Sequence, residues 1–128
     1  MILLDTHAWL WWVSAASELS GSAKRAIDRA DAIGVATISA MEVATLARRG
    51  RIMLDTDTRS WIVQALALGR VREVELTAEI AHEAGALGDD FVGDPADRII
   101  YATAVVTGSN LVTRDRFLRG YDPARTVW

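Results

Sequence analysis

Short apolar runs separated by longer stretches of helical period organise this chain. Ile2-Leu3-Leu4 is apolar at three consecutive positions and stops at Asp5-Thr6, the pattern of a fully buried strand ended by polar residues. Residues 33–38, Ile-Gly-Val-Ala-Thr-Ile, repeat that pattern, and Asn110-Leu-Val-Thr113 is another short buried run. Val71 to Leu76 alternates apolar with charged residues, which predicts a strand with one exposed side, and Thr126 to Trp128 predicts a last strand. Between these runs lie helical signals at Ser22–Ala32, Ser39–Arg49 closed by Gly50, Thr58–Leu68 closed by Gly69, Thr77–Leu87 closed by Gly88, and Pro95–Thr107 before Gly108. Strands alternating with helices, without Asn-Gly hairpin signals, predict an α/β fold with a mostly parallel sheet covered by helices on both faces. Gly88 to Gly93 reads as the mobile loop.

Composition narrows this picture without naming a chemistry. The 128 residues suit one domain, taken as 1–128, and 51% hydrophobic with 24% charged residues is a globular balance. The absence of cysteine excludes disulfides, thiolate metal sites and a cysteine nucleophile, and fits a reducing cytoplasm. The opening lacks the regions of a signal peptide, and no apolar run reaches the roughly 20 residues that span a bilayer, so no membrane role is expected. A net charge of −3 argues against a protein that coats nucleic acid but does not exclude a nuclease. Lys24 is the only lysine among 14 basic residues, so the cations favour planar, bidentate contact with phosphate or carboxylate. Arg48, Arg49 and Arg51 cluster near one predicted helix end, where they also complement the dipole.

Candidate chemistry lies at the strand ends. In open parallel sheets ligands bind at the carboxyl ends of strands. Asp5 ends the first strand, and Asp115 follows the run Leu111-Val112-Thr113 after one arginine. Glu42 and Asp97 fall in the first turns of the predicted helices after the second strand and after Asp94-Pro95, at the same end of the sheet. Four carboxylates converging there repel one another, and hard cations that prefer oxygen ligands, Mg²⁺ or Mn²⁺, are the usual remedy. Such a site suits phosphodiester cleavage, with the metal activating water and stabilising the leaving oxygen.

Three of the four acids have a structural alternative. Ser39-Ala-Met-Glu42 reads as a capping box, and Asp94-Pro95-Ala96-Asp97 places a cap, a first-turn proline and a dipole-favoured acid in order. Asp115 also suits a turn or helix start. Asp5, directly after a buried run, has no evident cap to make. His7 and His82 lack metal-ligand spacing, and Trp9, Trp11, Trp12 and Trp61 read as core or interface residues rather than base platforms. Thr6 and Thr113 flank acids and could orient a carboxylate or water, while Arg98, Arg114 and Arg116 adjoin the acids and could hold RNA phosphate or pair with them.

These same segments resemble the PIN-domain family, particularly the toxin nucleases of VapBC-type toxin-antitoxin pairs. Met-Ile-Leu-Leu-Asp-Thr-His-Ala-Trp-Leu-Trp-Trp is similar to the family's opening strand, Ile-Ser-Ala-Met-Glu-Val-Ala to its second motif, Asp-Pro-Ala-Asp-Arg-Ile-Ile-Tyr-Ala-Thr-Ala to its third and Leu-Val-Thr-Arg-Asp to its fourth. The four motifs stand in order over nearly the whole chain, followed by a closing Val-Trp. The resemblance implies a three-layer α/β/α, Rossmann-like sandwich of four to five strands, and makes Asp5, Glu42, Asp97 and Asp115 the catalytic metal ligands, with Asp94 accessory. It further implies Mg²⁺- or Mn²⁺-dependent cleavage of RNA, a cognate antitoxin that inserts a segment near the acidic pocket, and a homodimer. Many relatives carry a histidine shortly before Asp-Pro where this chain has Phe91-Val92-Gly93, and an acidic or small residue where it has Arg116.

Two other function classes predict different features. A non-catalytic PIN-like binding module would use the apolar amino-terminal helix to hold a partner, but has no need for all four acids. A receiver-like or phosphatase-like phosphoryl-transfer domain wants a late lysine, or a second Asp two residues after Asp5, where His7 stands.

Overall fold

The computed structural model describes all 128 residues. In chain order the elements are β1 (Ile2–Leu4), α1 (Thr6–Val13), α2 (Gly21–Arg29), β2 (Ile33–Ala36), α3 (Thr37–Arg48), α4 (Thr58–Leu66), β3 (Val71–Val74), α5 (Ala78–Ala86), α6 (Pro95–Thr107), β4 (Asn110–Val112), α7 (Arg116–Tyr121) and β5 (Thr126–Val127). The five strands form one parallel sheet in the order β3-β2-β1-β4-β5. The chain therefore builds outward from β1 on one side and then returns to its other side, so the crevice between the ends of β1 and β4 is a topological switch point.

Alternation along the strands divides the core into two layers. Ile2 and Leu4 of β1 join Ile33, Val35 and Val112 beneath Trp9, Ile27, Val43 and Trp61, which come from α1, α2, α3 and α4. Leu3 points to the opposite face, where it meets Leu111, Ile100, Tyr101, Ala104 and Leu118 of β4, α6 and α7. The fold is the three-layer α/β/α sandwich expected. No helix is long and apolar enough to cross a membrane.

The pattern placed every strand, gave the apolar amino-terminal helix no bounds and left out the helix at α7. In α1, Thr-His-Ala-Trp-Leu-Trp-Trp-Val is apolar almost throughout and so carries little amphipathic period, yet its Trp9 is fully buried and packs edge-on to Trp61 with ring centroids 4.9 Å apart. Helix α7 has only six residues, too few to display a period. Helix α3 begins at Thr37, two residues before the expected start, because β2 ends at Ala36 and passes straight into it with no side-chain cap. The Thr37 hydroxyl instead bonds Glu73 and the carbonyl of Val74 at the end of the neighbouring strand. Residues 88–93, read as a mobile loop, are fastened at both levels: Phe91 is buried among Tyr101, Phe117 and Tyr121, and Arg98 donates to the carbonyls of Ala84, Leu87, Gly88 and Phe91.

Ile27 is fully buried, whereas Val63 on α4 is 62% exposed. Ile27→Ala should lower the unfolding free energy by about 2–5 kcal/mol, and Val63→Ala by less than about 0.5 kcal/mol. Equal costs for the two in urea denaturation would contradict the assignment of the α2 face to the core.

Candidate functional site

Asp5 leaves β1 and at once becomes the N-cap of α1, its Oδ1 accepting from the Ala8 N–H at 2.8 Å. On the next strand, buried Thr113 follows β4; its hydroxyl sits beside Asp5 and favours that carboxylate's charged form, and its Oγ1 accepts from the Asp115 N–H at 3.0 Å. Asp115 caps α7 in turn, accepting from the Leu118 N–H at 3.0 Å. One threonine thus couples the two acids at the switch point.

Glu42 projects from the second turn of α3 and accepts a short hydrogen bond from the hydroxyl of Thr6, which also lies 3.1 Å from Ser39 Oγ. Asp94 and Asp97 form a reciprocal capping box on α6: Asp94 Oδ1 accepts from the Asp97 N–H at 2.8 Å, and Asp97 Oδ2 from the Asp94 N–H at 3.2 Å. Carboxylate oxygens of Glu42, Asp94 and Asp97 all lie within 4.8 Å of one another. All five acids line one open cleft of about 490 Å³, together with Thr6, His7, Trp11 and Arg114.

Several expectations are corrected by this geometry. Ser39 cannot cap α3, because the helix has already begun; it is buried inside the helix facing Thr6, and Glu42 is held by a hydroxyl rather than by a backbone N–H. Asp5, read as having no cap to make, caps α1. Both terminal nitrogens of Arg98 are taken by backbone carbonyls, which removes it as a phosphate ligand. Thr6 and Thr113 are buried, and their hydroxyls serve the protein's own acids rather than RNA. Asp94, placed as an accessory, stands within the tight group of three. Arg114 lies at the rim with its guanidinium 5.8 Å above the Trp11 ring, while Arg116 is exposed on α7, outside the cleft.

His7, Trp11 and Gly93 were not singled out as site residues. A Cβ on Gly93 would stand 2.9 Å from Asp97 Cβ and 2.8 Å from the Phe91 ring, so only glycine lets the loop pass this close to Asp97. A glycine directly before Asp-Pro was the one available signal.

Like charge and burial dominate the electrostatics. Burial raises the Asp5 carboxyl above its ordinary range, opposed by Thr113 and the Ala8 N–H and reinforced by the charge of Glu42. Glu42 is raised by burial and by Asp94 against the Thr6 hydrogen bond. Asp97 is pushed up to about 6 by burial, then by Asp94 and Glu42. Its folded state therefore binds a proton more readily than the unfolded chain, and between about pH 4 and 6 its contribution to stability falls as pH rises. In metal-free buffer the natural chain should lose melting temperature relative to Asp97→Asn as pH climbs through that window. A difference that stays flat, or changes in the opposite sense, would contradict the crowding of acids described here.

The sequence model of the PIN domain matches residues 2–122. The chain is 46% identical to ribonuclease VapC22 of Mycobacterium tuberculosis (strain ATCC 25618 / H37Rv), covering 99% of this chain and 98% of the relative. Among solved structures it is similar to M. tuberculosis VapC20, described as a sarcin-ricin loop cleaving toxin, with TM-score 0.68, 19% identity and coverage of 94% and 95% of the two chains. It is also similar to VapBC2 of Rickettsia felis bound to a fragment of promoter DNA, with TM-score 0.67, 16% identity and full coverage of both chains. A parallel sheet with acids at its switch point, matched along its length by the family's sequence pattern, identifies the chain as a member of the PIN domain family.

Proposed function

We propose that this chain, as one domain, is a metal-dependent endoribonuclease and the toxin of a toxin-antitoxin pair, hydrolysing RNA phosphodiester bonds at the acidic cleft. The observation that carries the reading is the convergence of Glu42, Asp94 and Asp97 oxygens within 4.8 Å, in a cleft that also holds Asp5 and Asp115. The donor set is all carboxylate oxygen and its members hold one another's protons on, which fits a hard cation, Mg²⁺ or Mn²⁺. When bound, such an ion supplies an activated water and neutralises charge on the leaving oxygen. Glu42, Asp94 and Asp97 would hold it, with Asp5 and Asp115 completing the acidic wall. Thr6 keeps Glu42 aimed by hydrogen bonding to it, and Thr113 braces Asp5. Near identity of length and 46% sequence identity to a ribonuclease support RNA as the substrate.

Beside the cleft runs an apolar groove of about 700 Å³ lined by Leu10, Val13, Ile52, Leu54, Trp61 and Leu68, with Met53 97% exposed at its edge. His7 and Trp11 line groove and cleft alike, so an apolar segment of the antitoxin seated in the groove has a direct course to the acids. A structural neighbour from Klebsiella pneumoniae described as a toxin-antitoxin complex supports that partner. We also propose a homodimer, which sedimentation of the purified chain would test.

Glu42→Gln and Asp97→Asn should each cut Mg²⁺-dependent RNA cleavage by about 10²-fold or more while leaving the fold cooperative, since each deletes a preorganised charge, and EDTA should abolish the natural chain's activity. Cleavage at the natural rate by either variant sinks the proposed site. Leu68→Asp, at a position 43% exposed, should weaken co-purification of the antitoxin about tenfold or more by placing a charge in an apolar contact. Undiminished capture would move the antitoxin off this groove.

A further inference from the structure

A third hollow opens beside β5 and α7, lined by Arg116, Arg119, Gly120, Pro123, Thr126 and Trp128. Its side chains reverse the cleft's: two guanidiniums and an indole, with no Asp or Glu on its walls. Neither guanidinium makes a hydrogen bond or ion pair with another side chain or a carbonyl of the fold, whose one side-chain ion pair joins Arg125 to Asp122. Both are exposed, while Trp128 is half-buried.

The hollow is joined to the acidic cleft by aromatic contacts. The Trp128 ring lies 5.7 Å from that of Trp11, tilted by 56°, and Trp11 lines the cleft beneath the Arg114 guanidinium. A continuous rim of Arg116, Arg119, Trp128, Trp11 and Arg114 therefore leads to the five acids. A polyanion entering a cleft of carboxylates is repelled there, so attraction has to come from close outside it. Unpaired guanidiniums suit phosphate, and an indole face accepts any unpaired base.

We propose that Arg116, Arg119 and Trp128 form a single-stranded RNA-binding surface that continues the acidic cleft, the arginines on backbone phosphates and Trp128 stacked on a base. This rests on the nuclease reading and extends it: the chain engages unpaired RNA on the β5 side of the cut as well as at it. The Trp11–Trp128 contact brings the residue that follows β5 onto the substrate path.

The test is binding of a fluorescent, unstructured RNA oligonucleotide in EDTA, measured by anisotropy in the Asp97→Asn background so that nothing is cut. Arg116→Gln with Arg119→Gln should weaken binding about tenfold or more and make the plot of log affinity against log salt shallower by about 1.4, the loss of two single-strand phosphate contacts. Trp128→Leu should weaken it about fivefold or more with little change in that slope, and Trp128→Phe should restore most of the loss, because stacking needs a ring but not this one. Melting temperatures of each variant separate loss of the surface from loss of the fold. Unchanged affinity in the double arginine variant, no binding in the starting background, or a phenylalanine no better than leucine would overturn the proposal. So would competition by a poly-glutamate peptide as strong as that by RNA of equal charge, which would give the surface to an acidic protein partner. Cleavage of the same oligonucleotide by the natural chain with Mg²⁺, assayed alongside, judges the nuclease reading separately.

Discussion

Five carboxylates crowded at the carboxyl ends of parallel strands repel one another, and the rest of the structure is arranged to hold them there. Four of the five sit in the first turn of a helix: Asp5 caps α1, Asp94 and Asp97 form the box that opens α6, and Asp115 caps α7. Each accepts at least one backbone N–H, and each stands at the positive end of a helix dipole, so the fold offsets part of the repulsion locally. Glu42 lies beyond the first turn of α3 and relies on Thr6 instead. What remains uncompensated is visible in Asp97, whose carboxyl is pushed to about 6. That residual charge is what a hard cation would meet.

Capping and the aiming of the acids into the cleft are therefore one arrangement here. A side chain bonded through one oxygen to its own helix has its rotamer fixed and its second oxygen free, which is the condition for a well-aimed ligand. Asp5 shows this most clearly: Oδ1 is engaged by the Ala8 N–H, and Thr113 braces the same carboxylate from the adjoining strand. Because Thr113 also accepts from the Asp115 N–H, a shift of β4 against β1 would move both acids together.

How much of this is legible in the sequence depends on range. The strands, the long helices and the box at Asp94-Pro95-Ala96-Asp97 are written in local order, through apolar runs and cap residues, and all appear where the pattern puts them to within a few residues. The start of helix α1 is hidden because a segment apolar on all sides carries no period to bound it, and with it the cap made by Asp5 is hidden too. The Ser39 box was a false local signal: the spacing is that of a cap, but β2 runs directly into α3 and leaves the serine inside the helix. Arg98 is a third kind of failure. Nothing in Asp-Arg-Ile says that its guanidinium reaches back to four carbonyls of the preceding loop, since that contact is tertiary. The family resemblance supplied the convergence of the acids; local physics alone supplied positions that could converge.

The distribution of arginine completes the electrostatic argument. A chain with net charge −3 and five acids in one cleft needs its cations placed, and two of those near the site have structural tasks: Arg98 ties down the loop before Asp94, and Arg125 holds Asp122 and two carbonyls. Arg114 stays at the rim over Trp11, and Arg116 and Arg119 stay free beside Trp128. With the Debye length near 8 Å at physiological salt, cations help an approaching phosphate only if they lie close to its path. The three arginines along the Trp11–Trp128 contact meet that condition, so positive side chains border the acids on that side of the cleft.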